Sequence, residues 1–217
     1  NIEAMKIDAV VMRHPTPGAP MHLSKFIDAV IINAGDGTHE HPTQAILDMM
    51  SLKEVFGTLN KLKIGIIGDI AHSRVALSNI YGLKTMGAEV TLCGPPNLIP
   101  KNIEDMGVTV NYNIDEVIEW ADSLNVLRIQ RERMGLGLIP SNREYRSKFG
   151  ITKKRILNHK KEIIIMHPGP INRGVEIDSI VADSDQAIIL DQVLNGVASR
   201  MAILYLFCGE SPDKDTK

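Results

Sequence analysis

Cysteine, excess charge and long apolar runs are all scarce in this chain of 217 residues, and each shortage removes a class of reading. Only Cys93 and Cys208 occur, both in apolar surroundings. Two such thiols suit a reducing compartment better than a disulfide framework or a metal site, so a cytoplasmic location is expected. Lys and Arg number 24 against 26 Asp and Glu. Without a basic excess, neither nucleic acid nor an anionic membrane is the expected partner, and a small molecule is. No apolar stretch approaches the ~20 residues that span a bilayer, and the first residues do not read as a signal sequence. Repeats and low-complexity tracts are missing as well.

What is present is 44% hydrophobic residues, enough for one large or two small domains. They fall in short runs at 7–12, 27–33, 63–69, 88–94, 108–111, 124–127 and 163–166, which read as strands. Helical patterns lie between them, at 73–86 and 114–121, and a final amphipathic helix is expected at 192–207. Strands alternating with helices predict an α/β fold with parallel sheets. The segment 131–146, with Gly135, Gly137 and Pro140 and few apolar anchors, reads as a mobile functional loop.

The organising stretch is 33–44, where an apolar run stops, turns on Gly35 and Gly37, and starts a helix at Pro42. Ile46, Met49, Met50, Leu52, Val55 and Phe56 follow at roughly helical spacing, and Gly57 reads as the stop. His41 and Gln44 then lie at a helix N-terminus, whose unpaired N–H groups and positive dipole end suit an oxygen with developing negative charge. Arg13, Arg74 and Arg128 each fall near the C-terminal end of an expected strand, the edge where parallel sheets bind ligands. A lone arginine is as readily a surface ion-pair partner; the shared placement is what raises these three. Gly65-x-x-Gly68 hints at a dinucleotide loop, but Ala71-His72-Ser73-Arg74 stands where the third glycine belongs, so no nucleotide cofactor is expected.

Five motifs occur in order: VVMRHP (10–15), GDGTHEHPTQ (35–44), GDIAHSR (68–74), LRIQRER (127–133) and MHPGPINRGVEI (166–177). Together they resemble the aspartate carbamoyltransferase catalytic chain, within the aspartate/ornithine carbamoyltransferase superfamily, over nearly the whole length to Cys208. The resemblance implies two parallel-sheet α/β domains, the first incomplete, around an interdomain active-site cleft. Residues 1–56 with 192–210 would be the remainder of a carbamoyl phosphate domain, and 58–190 an aspartate domain. The implied reaction transfers the carbamoyl group of carbamoyl phosphate to L-aspartate in pyrimidine biosynthesis, with no metal or other cofactor.

By the same resemblance, His41 donates to the carbamoyl oxygen, and Arg13 assists it and reaches phosphate. Gln44 and the carbonyls of Pro168 and Gly169 accept from the carbamoyl NH₂, and Gly169-Pro170 is expected to be cis. Arg74 holds the aspartate α-carboxylate, and Arg128 with Gln130 holds the side-chain carboxylate. Arginine suits both tasks because its fork meets a carboxylate bidentately. Ornithine-specific relatives place a cysteine in the motif that here reads His167-Pro168-Gly169-Pro170, and no cysteine stands there. The implied assembly is a homotrimer, open to regulatory or dihydroorotase chains. A transcarbamylase for another amino acid, and a catalytically silent homologue that only assembles with a pathway partner, are the alternatives. The family's Ser-x-Arg-Thr phosphate loop has no counterpart in 1–217, so these residues alone are expected to be inactive and to expose an apolar sheet edge.

Overall fold

A computed structural model describes residues 3–129, 141–159 and 162–209, and its strands form two separate parallel sheets. Strands β1 (Ala9–His14) and β2 (Val30–Asp36) pair with each other, with the short helix α1 (Ala19–Leu23) between them. Helix α2 (Pro42–Phe56) leaves this pair and leads to the second sheet. That sheet is built from β3 (Lys63–Ile67), α3 (Arg74–Thr85), β4 (Glu89–Cys93), β5 (Thr109–Val110), α4 (Ile114–Trp120) and β6 (Ser123–Val126). It is completed by α5 (Asn142–Phe149), α6 (Lys153–Leu157), β7 (Ile164–Met166), α7 (Ser179–Ala182) and the long α8 (Ile189–Cys208).

The strand order is β5-β4-β3-β6-β7, all parallel. From β3 the chain moves outward through β4 and β5, then returns to the other side of β3 with β6. The order therefore reverses between β3 and β6, and open α/β sheets bind ligands beyond the C-terminal ends of the strands at such a switch point. Strands buried on both faces are built mostly of apolar residues, and Ile64, Ile66, Leu92 and Leu124 are fully buried here. Each such side chain contributes about 1.5–3 kcal/mol when removed from water.

Gly65 owes its place to packing: a Cβ there would meet Leu124 Cδ2 at 2.8 Å and Val117 Cγ1 at 2.9 Å. The following helix is capped by Ser73, whose Oγ accepts from Ala76 N–H at 3.2 Å. A serine cap with its own side chain in the anion position leaves no glycine cradle for a pyrophosphate.

Three expectations change. First, 142–146 belongs to α5, because Ser141 Oγ accepts from Glu144 N–H at 3.0 Å and Tyr145 and Phe149, one turn apart, are buried. The remainder, 131–140, lies outside the described residues. Second, α2 buries Thr43, Gln44, Leu47, Asp48, Ser51 and Leu52, while Ile46 and Val55 are exposed. Third, α8 turns a polar stripe inward, Gln192, Asn195, Gly196 and Ser199, and leaves Leu190, Val193, Leu194, Val197 and Met201 exposed.

The reason is that α2 and α8 meet through hydrogen bonds: Asn195 Nδ2 donates to Ser51 Oγ at 3.0 Å and to Glu54 Oε2 at 2.6 Å. Gly196 lets the helices close, since a Cβ there would stand 3.2 Å from Leu47 Cδ2. On its other side α2 packs on α3, where Gly82 admits Met49, and Leu52 joins the core built on Ile64, Ile66 and Ile80.

Candidate functional site

The turn from β2 into α2 is held by Asp36. Its carboxylate accepts from Gly18 N–H (2.6 Å), Glu40 N–H (3.0 Å) and Asn33 Nδ2 (3.1 Å), and lies 3.1 Å from His39 Nδ1. Burial pushes its pKa up, but these hydrogen bonds outweigh that and hold it at about 2. Gly37 N–H donates to His14 O at 2.8 Å, which fastens the end of β1, and with it Arg13, to the same turn. Arg13 itself is exposed and lies within β1, because the strand runs on to His14.

His41 occupies the N-cap position of α2, yet its side chain makes no capping bond; its backbone N–H donates to Ser78 Oγ on α3 at 2.9 Å. The imidazole is half-buried, and its pKa falls to about 4, first through desolvation and then through the charges of Arg13, Arg200 and Arg74. At neutral pH it is therefore uncharged, with one ring N–H to donate and no charge of its own. Arg74, the first residue of α3, is 7% exposed and passes over Gly35, whose missing Cβ would stand 2.8 Å from Arg74 Nη1.

Gln44, one turn into α2, is buried and directs Nε2 to Asp48 Oδ1 at 3.0 Å, so its Oε1 is the end that accepts. Beyond β7, the turn containing Pro168 and Gly169 is fixed from several sides. His167 N–H donates to Gln192 Oε1 at 2.9 Å, and Gly169 N–H donates to His167 Nδ1 at 2.9 Å. That leaves the His167 proton on Nε2, which faces Glu176 Oε1 at 3.3 Å inside the protein. The Gly169–Pro170 peptide is cis, as expected. Arg128, half-buried, follows β6, and the adjoining Ile129 O accepts from Asn172 Nδ2 at 3.0 Å, tying this segment to the β7 turn. Gln130 lies outside the described residues.

Arg13, Arg74, the turn at 35–41, Arg128 and the Pro168–Gly169 turn therefore all follow or end parallel strands; hydrogen bonds tie the 35–41 turn to the end of β1 and to Ser78 of α3, and a second set ties the segment after β6 to the β7 turn and Gln192. Arg200 was not singled out from the sequence, because one arginine on a mostly apolar helix carries no motif. Asp48 did carry a signal: a lone carboxylate one turn after Gln44, on the inward side of a helix. A cavity of about 670 Å³ lies elsewhere, lined among others by Asp115, Arg146, Arg155 and His159. There Arg155 pairs with Asp115 at 2.8 Å and Arg146 with Asp178 at 2.6 Å, and His159 Nδ1 lies 3.2 Å from Glu119 Oε2.

The fold and the site together define an α/β protein in which Arg74 and Arg128 follow the two strands flanking a switch point and a neutral histidine lies in the field of Arg13, Arg200 and Arg74, a setting for anionic substrates. Residues 1–54 match the carbamoyl-P binding domain, and residues 60–207 the Asp/Orn binding domain, of aspartate/ornithine carbamoyltransferase. The chain belongs to the aspartate/ornithine carbamoyltransferase family. It is 60% identical over 210 residues to the aspartate carbamoyltransferase catalytic subunit of Christiangramia forsetii, covering 97% of this chain and 68% of that one. The corresponding subunit of Gemmatimonas aurantiaca is 57% identical over 213 residues, covering 98% and 67%. The chain thus spans about two thirds of the length of these relatives. Among solved structures, aspartate transcarbamoylase from Trypanosoma cruzi in complex with carbamoyl phosphate superposes with TM-score 0.83 at 29% identity, over 94% of this chain and 67% of that one. The catalytic subunit of M. jannaschii aspartate transcarbamoylase does so with TM-score 0.81 at 32% identity, over 100% and 70%.

Proposed function

We infer that this chain transfers the carbamoyl group of carbamoyl phosphate to the amine of L-aspartate, giving N-carbamoyl-L-aspartate and phosphate. The observation that carries the reading is His41, held neutral at the mouth of α2 among Arg13, Arg74 and Arg200. The aspartate nitrogen attacks the carbamoyl carbon, a negatively charged oxygen develops there, and the bond to the phosphate oxygen breaks with its electron pair. The amine gives up a proton in the process. Preorganised donors aimed at that oxygen lower the barrier most, because they need not reorient as charge appears.

In this reading His41 donates to the carbamoyl oxygen and Arg13 neutralises it and the phosphate. Gln44 Oε1 and the Pro168 and Gly169 carbonyls accept from the carbamoyl NH₂. Arg74 takes the aspartate α-carboxylate, while Arg128 with Gln130 takes the other. Two fixed positive charges select a dicarboxylate, and the lack of a cysteine in 167–170 supports aspartate over a cationic amino acid. The domain division into 1–56 with 192–210 and 58–190 is part of the proposal. It is supported by the two separate sheets and by the seam between α2 and α8. So is a cytoplasmic homotrimer, for which sedimentation of the natural protein is the test. Two unbonded cysteines fit that compartment, and burial pushes the Cys93 thiol up to about 12, where it stays protonated.

The deciding experiment measures product from carbamoyl phosphate with L-aspartate and, separately, with ornithine, using the natural full-length polypeptide. Carbamoyl aspartate is expected and carbamoyl ornithine is not. Turnover of ornithine alone would establish the rival substrate, and turnover of neither would establish the silent homologue.

A further inference from the structure

Asp48 is the one fully buried carboxylate of α2, and the chemistry above assigns it nothing. Four side-chain amides converge on it. Gln44 Nε2 (3.0 Å) and Gln192 Nε2 (2.7 Å) donate to Oδ1; Asn79 Nδ2 (2.8 Å) and Asn125 Nδ2 (3.4 Å) donate to Oδ2. They come from α2, α8, α3 and β6, so one carboxylate joins the helix that leaves the first sheet and the final helix to two elements of the second sheet.

An ionised carboxylate offers about four lone-pair positions and no proton, which matches this shell donor for acceptor. Burial holds the Asp48 pKa above its ordinary value, with the amides of Asn79, Gln192, Gln44 and Asn125 opposing the rise; all four aim N–H groups at its two oxygens, which accept. A centre that only accepts forces every amide to turn its nitrogen inward and its oxygen away. The cost of that choice is visible: Asn79 Oδ1 and Asn125 Oδ1 are buried with no hydrogen-bond partner among the described residues. The benefit falls on the other two amides. The outward Oε1 of Gln192 accepts from His167 N–H at 2.9 Å, at the base of the Pro168–Gly169 turn. The outward Oε1 of Gln44 sits at the mouth of α2, one turn from His41.

We propose that Asp48 is a positioning residue for carbamoyl transfer, which dictates the orientation of the Gln44 and Gln192 amides and so presents the Gln44 oxygen and the Pro168–Gly169 turn to the carbamoyl NH₂. The proposal rests on the carbamoyl-transfer reading. Asp48 touches no substrate itself; it acts through two amides on two different elements, both on the carbamoyl side of the reaction. A residue that merely held the fold together would weaken both substrates alike.

The test is Asp48→Asn in the natural full-length polypeptide, a change of one atom that puts an NH₂ group among amide donors. kcat/KM for carbamoyl phosphate should fall about 10- to 100-fold, with the aspartate KM nearly unchanged. In a Gln44→Ala background the same substitution should cost markedly less, because one of its two routes is already gone. Equal losses for both substrates, or the same loss in both backgrounds, overturn the proposal. Hydrogen exchange at the His167 amide supplies a readout that needs no activity: it should quicken in Asp48→Asn, and an unchanged rate overturns the link through Gln192. If the unsubstituted protein transfers no carbamoyl group, the reading of the site fails while the exchange rate still decides the role of Asp48. Should Asp48→Asn not fold, Gln192→Met leaves Asp48 its other three partners. Faster His167 exchange with a loss confined to carbamoyl phosphate supports the proposal, and wild-type behaviour overturns it.

Discussion

Replacing Gly35 by alanine should impair the use of aspartate while leaving carbamoyl phosphate binding close to wild type. Gly35 has φ of 112°, where an L side chain is strained, at a cost of about 1–2 kcal/mol. The added methyl would stand 2.8 Å from Arg74 Nη1 and 2.9 Å from Arg74 Cδ, whereas favourable carbon contacts begin near ~3.5 Å. Arg74 is only 7% exposed, so it has no room to swing into solvent, and its guanidinium must shift along the crevice. A misplacement of about 1 Å in a group that orients a substrate costs on the order of 100-fold. The strain itself should lower Tm by about 2–8 °C in a domain of this size. Initial rates of carbamoyl aspartate formation, with aspartate varied at saturating carbamoyl phosphate, should show kcat/KM for aspartate reduced about 10- to 100-fold. Calorimetric titration of carbamoyl phosphate should be nearly unchanged. A protein that loses Tm as expected but keeps its aspartate KM would refute the placement of Arg74 on that substrate.

Arg128→Ala should weaken aspartate by roughly 1.5–3 kcal/mol, the loss of a charged hydrogen-bond partner, with carbamoyl phosphate binding preserved; steady-state kinetics for each substrate separates this from a general loss. His41→Ala should lower kcat more than it raises either KM, because a donor to the developing oxyanion acts on the transition state. NMR titration of the His41 ring should give a midpoint near the value of about 4, far below the ordinary histidine value of 6.5. Because the folded pKa lies below the unfolded one, the folded state binds fewer protons there. His41 therefore contributes its full stability above the unfolded pKa and loses it as pH falls from about 6.5 through about 4. Denaturant unfolding across that window should show a pH slope that is smaller in His41→Ala, and an equal slope in both proteins would count against a buried neutral imidazole.

Read along the chain, local physics already located the parts of this site that depend on nearest neighbours. Pro42 and Gly57 bound a helix because one has a preset φ and no N–H, while the other tolerates the φ of 76° found at its end. Gly35, Asp36 and Gly37 predicted a turn, and apolar runs predicted strands buried on both faces. The five motifs, quoted in order, were enough to point to the family. What the sequence could not reveal was which side chains would meet across the sheets. Ile46 and Val55 recur at helical spacing yet are exposed, while the polar Gln44, Asp48 and Ser51 are buried beside Leu47 and Leu52, because α8, α3 and β6 supply polar partners. In the same way α8 is amphipathic as expected, but it is the polar stripe that faces inward. Burial of a polar group depends on whether a partner waits at the right place, and that partner here lies 144 residues away for Gln192 and Asp48. Arg200 beside His41, the reversal of strand order at β3, and the carboxylate that orients two amides are likewise products of tertiary contact, because each is a relation between elements that no local window of the sequence contains.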